Sequence, residues 1–451
     1  MTHTPAYIPP TDRSLDIAVI GSGIAGLGTA WLLGQRHRVT LFEKNDYLGG
    51  HTHTHLVDDG RGGATPVDSG FIVCNRPNYP HLFGLLESLD IQTQPTEMSF
   101  GMSMDEGRLE YSGDSLDTLF AQRRNLLRPS FLRMVVEILR FNRLGKKALI
   151  GDALGALTLG EFLERHRFSP RLAEDYLLPM AAAIWSCPTH QMRDFPARSF
   201  LQFFDNHGLM NIKDRPQWET VLGGSRRYVD RMLAEQRFEA LVSHPVTRVE
   251  RDELGVTLPE YDRRFDAVVM AGHADQTLAT LDRPDVAETD VLGAFRFQEN
   301  HAFLHRDTAL MPRRRQVWSS WNYLGRRDVD GERAVAVTYW MNRLQRLDSA
   351  HDWLVTLNPF EAPRESLVER EITYHHPVFD ARAVAAQGKL PELQGHRRTF
   401  YAGAWAGYGF HEDGLASAVA VARRFGVIIP WEGVPPGDGS VDSPDRAAEA
   451  A

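Results

Sequence analysis

Cysteine is nearly missing from this chain: Cys74 and Cys187 are the two in 451 residues. Two thiols build neither a disulfide framework nor a thiolate metal cluster, so both are expected as buried structural groups in a reducing compartment. Long apolar runs are missing too, none approaching the roughly 20 residues that span a bilayer. Met1 to Arg13 is polar and proline-bearing, without the basic and apolar segments of a signal peptide. Nor is there an excess of positive charge. Net charge is −9 and basic residues are mostly interleaved with acidic ones, so no nucleic acid is expected as a bulk partner. The expectation is a cytoplasmic protein, either soluble or held at the inner face of the membrane. Histidine is plentiful at 18. His375-His376, His53-Thr-His55 and His301…His305 nevertheless lack a cysteine or carboxylate frame, so no metal site is expected.

What is present is glycine in a specific order. The chain reads Asp16-Ile-Ala-Val-Ile-Gly-Ser-Gly-Ile-Ala-Gly-Leu-Gly28, then Val39-Thr-Leu-Phe-Glu43-Lys44, then Leu48-Gly-Gly-His51. A strand ending at Gly21, a tight turn, a helix, and a second strand closing on an acid make a dinucleotide-binding βαβ unit. Gly21 permits the turn, Gly23 admits a pyrophosphate to the backbone, and Gly26 lets the helix pack on the strand. Ile24 and Ala25 open that helix, whose free N–H groups and positive end face the phosphates. Glu43 is placed to accept hydrogen bonds from the adenosine ribose.

Two further segments have the same character. Leu222-Gly-Gly-Ser-Arg-Arg-Tyr-Val229 reads as a glycine turn into a helix, followed by expected strands at Val242–Val249 and Phe265–Gly272. Thr399-Phe-Tyr-Ala-Gly-Ala404 and Glu412-Asp-Gly-Leu-Ala-Ser417 read as strand, loop and helix. Residues 80–219 are mostly helical in pattern, and 283–395 are rich in Trp, Tyr, Phe and Arg and read as strands with loops.

These motifs, with the Val67-Asp-Ser-Gly-Phe71 stretch, resemble the flavin-containing amine oxidase superfamily, which also includes protoporphyrinogen oxidases and phytoene-type desaturases. Tyr339-Trp-Met-Asn-Arg-Leu-Gln345 and Gly409-Phe-His-Glu-Asp-Gly-Leu415 resemble more narrowly a bacterial branch similar to the N-terminal flavin region of plant cyclopropane fatty-acid synthases. That branch is associated with fatty-acyl methyltransferases of the same pathway. The resemblance implies an α/β fold: a Rossmann-like FAD-binding domain of the glutathione reductase type with an inserted mixed α+β substrate domain. The FAD-binding parts are expected at 14–75, 221–282 and 397–428. The substrate parts fall at 76–220, mainly helical, and 283–396, strand-rich, and a disordered tail follows at 429–451.

The resemblance further implies FAD rather than NAD, with Gly49, Gly50, His51 and Thr52 under the flavin and the Val246 backbone at the adenine. Lys44, Gly403 and Ala404 join the expected binding set. A helix from about Asp413 points its positive end at the flavin, with Gly414 and Leu415 as isoalloxazine contacts. Relatives often carry Gly-Asp where this chain has Gly403-Ala404, and an arginine where it has His51. No cysteine follows Cys187, so the FAD is expected to be noncovalent.

For catalysis His411, expected just before the terminal helix, and His51 are the candidates. Each either works as a base or only satisfies neighbouring backbone groups. Trp405 and Tyr408 either wall the flavin or pack in the core. Residues 123–147 combine an apolar helical pattern with eight basic residues against Glu137 alone. Such a stretch either lies on an anionic bilayer or is a substrate-domain helix with a solvated charged face. The expected activity is dehydrogenation of a hydrophobic lipid, a fatty-acyl chain, methyl-branched ones included. Its rivals are an oxidase of a soluble amine, marked by a lysine facing the flavin within an aromatic cage, and a non-catalytic lipid-binding protein on the same fold.

Overall fold

Short strands of β-branched and small residues come from three distant parts of the chain and form one parallel sheet. They are β1 (Asp16–Ile20), β2 (Arg38–Phe42), β3 (Glu239–Leu241), β4 (Ala267–Met270) and β5 (Thr399–Tyr401), in the spatial order β3-β2-β1-β4-β5. Ile17, Ala18 and Val19 in β1 are fully buried, as are Ala267, Val268 and Val269 in β4, the near-continuous apolar run of strands covered on both faces. The computed structural model describes residues 7–151, 154–185, 191–211, 215–327 and 333–433.

The helices that bear on the site are α1 (Ile24–Leu33), α2 (Pro80–Ser88), α3 (Pro129–Leu149), α4 (Ala197–Asn206), α5 (Arg226–Ala234) and α6 (His411–Arg424). All ten residues of α1 are buried. Leu415 of α6 lies over Gly28, where an added Cβ would come within 2.7 Å of it, so glycine at 28 allows the two helices to pack closely.

The second layer is a seven-stranded sheet, in the order Val368–Val378, Arg296–His305, Leu354–Leu357, Arg333–Trp340, Trp321–Arg327, Phe100–Met104 and Leu109–Ser112. Two of these strands lie within 76–220, so that segment is not simply helical. It also supplies Thr93–Thr96, which pairs with Trp218–Val221, as does Cys74–Asn75 just before the segment.

Three expectations are corrected. Residues 242–248 form a loop rather than a strand. Pro245 has no N–H to donate, Ser243 adopts φ 55°, and the Ser243 and His244 N–H groups wrap the end of β2 by bonding Asn45 O and Glu43 O at 2.7 and 2.8 Å. The terminal helix begins at His411, two residues early. The chain does not leave the fold at 429: Ile429 is buried, and Trp431 stacks on Trp31 and donates to His81 Nδ1 at 3.1 Å. Cys187 and residues 434–451 lie outside the described residues. Cys74 is buried beside the Glu219 carbonyl, its thiol pKa pushed up by desolvation.

Candidate active site

The first glycine turn is built from its own backbone. Gly21, at φ 101°, donates to Phe42 O at 2.8 Å, and a Cβ on Gly26 would sit 1.8 Å from Gly21 O. Gly23 is different, because a Cβ there would meet nothing within 4 Å. Helix α1 has no side-chain cap and no acid in its first turn, so its free N–H groups are left to that open space. Gly49 and Gly50 both adopt positive φ, and a Cβ on Gly50 would come within 3.1 Å of Gly23 Cα. The second glycine pair therefore closes on the first.

Around this cradle the expected ligands take unequal places. Glu43 is buried and braces the turn: one carboxylate oxygen accepts from Ser22 N and Oγ at 2.9 and 2.6 Å, and the other from Asn45 N at 2.8 Å. Val246 sits half-buried in the loop tied to Glu43. Lys44 is exposed, donating to Gln276 Oε1 at 3.3 Å.

The start of α6 is the second half of the site. Gly414 packs on Ile24, where a Cβ would approach within 2.7 Å, with Ala404 beside it. Gly403 donates its N–H to Ser417 Oγ at 2.9 Å. Leu415 is fully buried against α1, so its side chain holds two helices together and its backbone is what the start of α6 presents. Asp413 accepts from Phe410 N at 2.8 Å and Glu412 accepts from His81 N and Leu82 N at the start of α2 at 2.8 and 2.9 Å. Burial pushes their carboxyls up, to about 6 and about 7.

Beside these helix starts lies a cluster drawn from five segments. Tyr228 OH of α5 bonds His411 Nε2 at 2.7 Å and also contacts Thr52 Oγ1, which lies 3.3 Å from the same nitrogen. Phe71 stacks on His411 with ring centroids 3.9 Å apart. It is delivered there because the chain turns at Gly70, and Phe71 N donates to His51 O at 2.7 Å. His51 stacks on Tyr374 at 4.6 Å and lies 5.1 Å from His376, and its Nε2 is buried without a partner among the described residues. Desolvation lowers His51 to about 4 and His411 and His376 to about 3, so all three imidazoles are neutral near pH 7.

His411, His51 and Thr52 thus come together as expected candidates, while Tyr228, Phe71, Tyr374 and His376 were not singled out for the site. Tyr228 had a local signal, since it follows the Gly223-Gly224 turn, and His376 was visible only as half of a histidine pair. Trp405 is core, its Nε1 donating to Gly272 O at 3.1 Å. Among the described residues no group of three or more histidine, cysteine or acidic side chains is arranged to hold a metal ion.

A parallel sheet with a glycine cradle at the start of α1 defines a dinucleotide-binding α/β protein. The chain belongs to the flavin containing amine oxidoreductase family, whose model matches residues 24–298. It is 25% identical over 261 residues to AofH of Mycobacterium tuberculosis, named as a flavin-containing monoamine oxidase, covering 54% of this chain and 53% of AofH. It is 28% identical over 187 residues to the 15-cis-phytoene desaturase of Narcissus pseudonarcissus, covering 39% and 32% of the two chains. The chain therefore spans about half the length of AofH. The fold is similar to that of a CLA-producing fatty acid isomerase from P. acnes, with TM-score 0.64, 19% identity and coverage of 93% and 100%.

The family implies a flavin, and the residues fit one. The uncapped start of α1 over Gly23 suits a diphosphate, and His51 Nε2 is a buried polar atom without a partner among the described residues.

Proposed function

We propose that this chain is a FAD-dependent oxidoreductase that dehydrogenates a hydrophobic lipid, a fatty-acyl chain, with the cofactor held noncovalently. The observation that carries this is a row of phenylalanines leading to His411. Phe200 stacks on Phe204 at 4.1 Å, Phe203 neighbours Phe204 at 6.5 Å, and Phe203 stacks on Phe410 at 4.9 Å. These rings, buried at Phe200, Phe203 and Phe204, make the approach to His411 apolar and offer an ammonium no counter-charge. The carboxylates next in sequence, Glu412 and Asp413, are spent on capping α2 and Phe410. The described lysines, Lys44, Lys146, Lys147 and Lys389, are all exposed, which disfavours the lysine-marked amine oxidase site.

Bound flavin supplies the two-electron acceptor for carbon–hydrogen cleavage. Gly23, Gly26 and Gly50 would bring backbone N–H groups to its diphosphate, while Gly21 and Gly49, whose N–H groups bond Phe42 O and Ser22, shape the two turns and Glu43 fixes the first from behind. Neutral His411, hydrogen-bonded to Tyr228 and near Thr52, takes up the proton released by the substrate carbon. Phe71 and Phe410 exclude water from that step. Methyl-branched acyl chains would make a fatty-acyl methyltransferase the preceding enzyme of the pathway.

Anaerobic mixing of the flavin-loaded protein with acyl lipids and with amines, followed by flavin bleaching, tests this. Bleaching by acyl lipids is expected. Bleaching by amines alone would make it an amine oxidase, and protein that takes up no FAD would be a lipid-binding member of the fold.

A further inference from the structure

We infer that the outer face of α3, with the turn before it, docks on an anionic lipid bilayer. The inner face of the helix is satisfied: Phe131, Met134, Phe141 and Gly145 are buried at helical spacing. The outer face repeats the same spacing with Leu132, Val136, Leu139 and Arg143, all exposed. Val136 is 64% exposed, and Leu127 in the preceding turn and Ile150 after the helix are exposed by 86% and 81%. Ordinary solvated helices put polar residues there. Apolar side chains lined up along about 10 Å of helix, with Leu127 before it and Ile150 after it, form a face that calls for an apolar cover.

Charge selects the cover. Arg124, Arg128, Arg143 and Lys147 have no carboxylate partner among the described residues, in a chain whose net charge is −9. The acid on this helix, Glu137, is buried and bonded to Arg133 and Ser169. An apolar row rimmed by unpaired cations matches a helix lying in the plane of a bilayer with anionic headgroups. The helix also adjoins the phenylalanine row, because Phe141 on its inner face contacts Phe200 at 6.5 Å. The docked face therefore backs onto the side chains that lead to His411.

Flotation of the full-length, flavin-loaded protein with phosphatidylcholine vesicles, with and without phosphatidylglycerol, tests the inference. Binding is expected only with phosphatidylglycerol and is expected to weaken at high salt. Arg143→Glu/Lys147→Glu and Leu132→Ser/Val136→Ser/Leu139→Ser should each lower it by at least about tenfold while retaining the flavin spectrum, since all five side chains are exposed. Equal binding to neutral vesicles, or binding unchanged by both variants, would overturn it. So would a dimer in sedimentation that the serine variant dissolves without any vesicle binding, because the face would then join two copies of this chain. No substrate is present in the assay, so failure here and failure of flavin bleaching by acyl lipids are separate results.

Discussion

Glycines a few residues apart do different work, and their substitutions separate binding from folding. An alanine at Gly23 projects into open space, so Gly23→Ala should leave the melting temperature of the apoprotein unchanged and weaken FAD binding about tenfold, read by titration of flavin fluorescence. An alanine at Gly26 collides with Gly21 O, so Gly26→Ala should destabilise the apoprotein by about 1–3 kcal/mol, the usual cost of overpacking. Tyr228→Phe removes the hydroxyl bonded to His411; it should slow substrate-dependent flavin bleaching by about 100-fold, the low end of general acid–base contributions, with flavin content unchanged. The glycine roles were legible in sequence because each depends on local backbone geometry. The Tyr228–His411 pair was not, since 183 residues separate its members.

Among elements, the start of α6 shows how charge and helix ends trade against each other. Glu412 sits at the first turn of α6 and accepts two N–H groups from the first turn of α2. Burial nevertheless raises its pKa from 4.5 to about 7. The folded state therefore holds a proton that the unfolded chain gives up, and the stability this provides is lost as pH rises from 4.5 to about 7. Glu412→Gln removes that dependence, so its melting temperature relative to wild type should rise between about pH 5 and pH 8. A constant difference would sink the assignment. Element type was readable where periodicity was strong, as in α3 and α6, and failed at 242–248. There Pro245 and a left-handed Ser243 turned an expected strand into a loop, a choice made by hydrogen bonds to the end of β2.

For the whole molecule, buried histidine sets the response to acid. His51, His55, His207 and His305 are lowered to about 4 and His273, His376 and His411 to about 3, each first by desolvation. The fold keeps these rings neutral where the unfolded chain protonates them near 6.5, so stability falls as pH drops from about 6.5 towards 4. Asp68, Asp413 and Glu412 act in the opposite sense but are fewer. Thermal melts should therefore shift steeply downward on acidification through this range, and melts independent of pH there would contradict the neutral cluster. Among the described residues no helix is long and apolar enough to cross a membrane.

By itself the sequence determined the cofactor cradle, because a phosphate-binding turn is a local demand for absent side chains at Gly21, Gly23 and Gly26. It also determined the amphipathic charge pattern of 123–147, which is local periodicity. Tertiary structure decided which residues meet: Thr52 and His411 are 359 positions apart and touch only because three stretches share one parallel sheet and α6 lies on α1. It decided, too, that Leu132, Val136 and Leu139 face outward, since periodicity defines two faces of a helix and only packing chooses the one to bury.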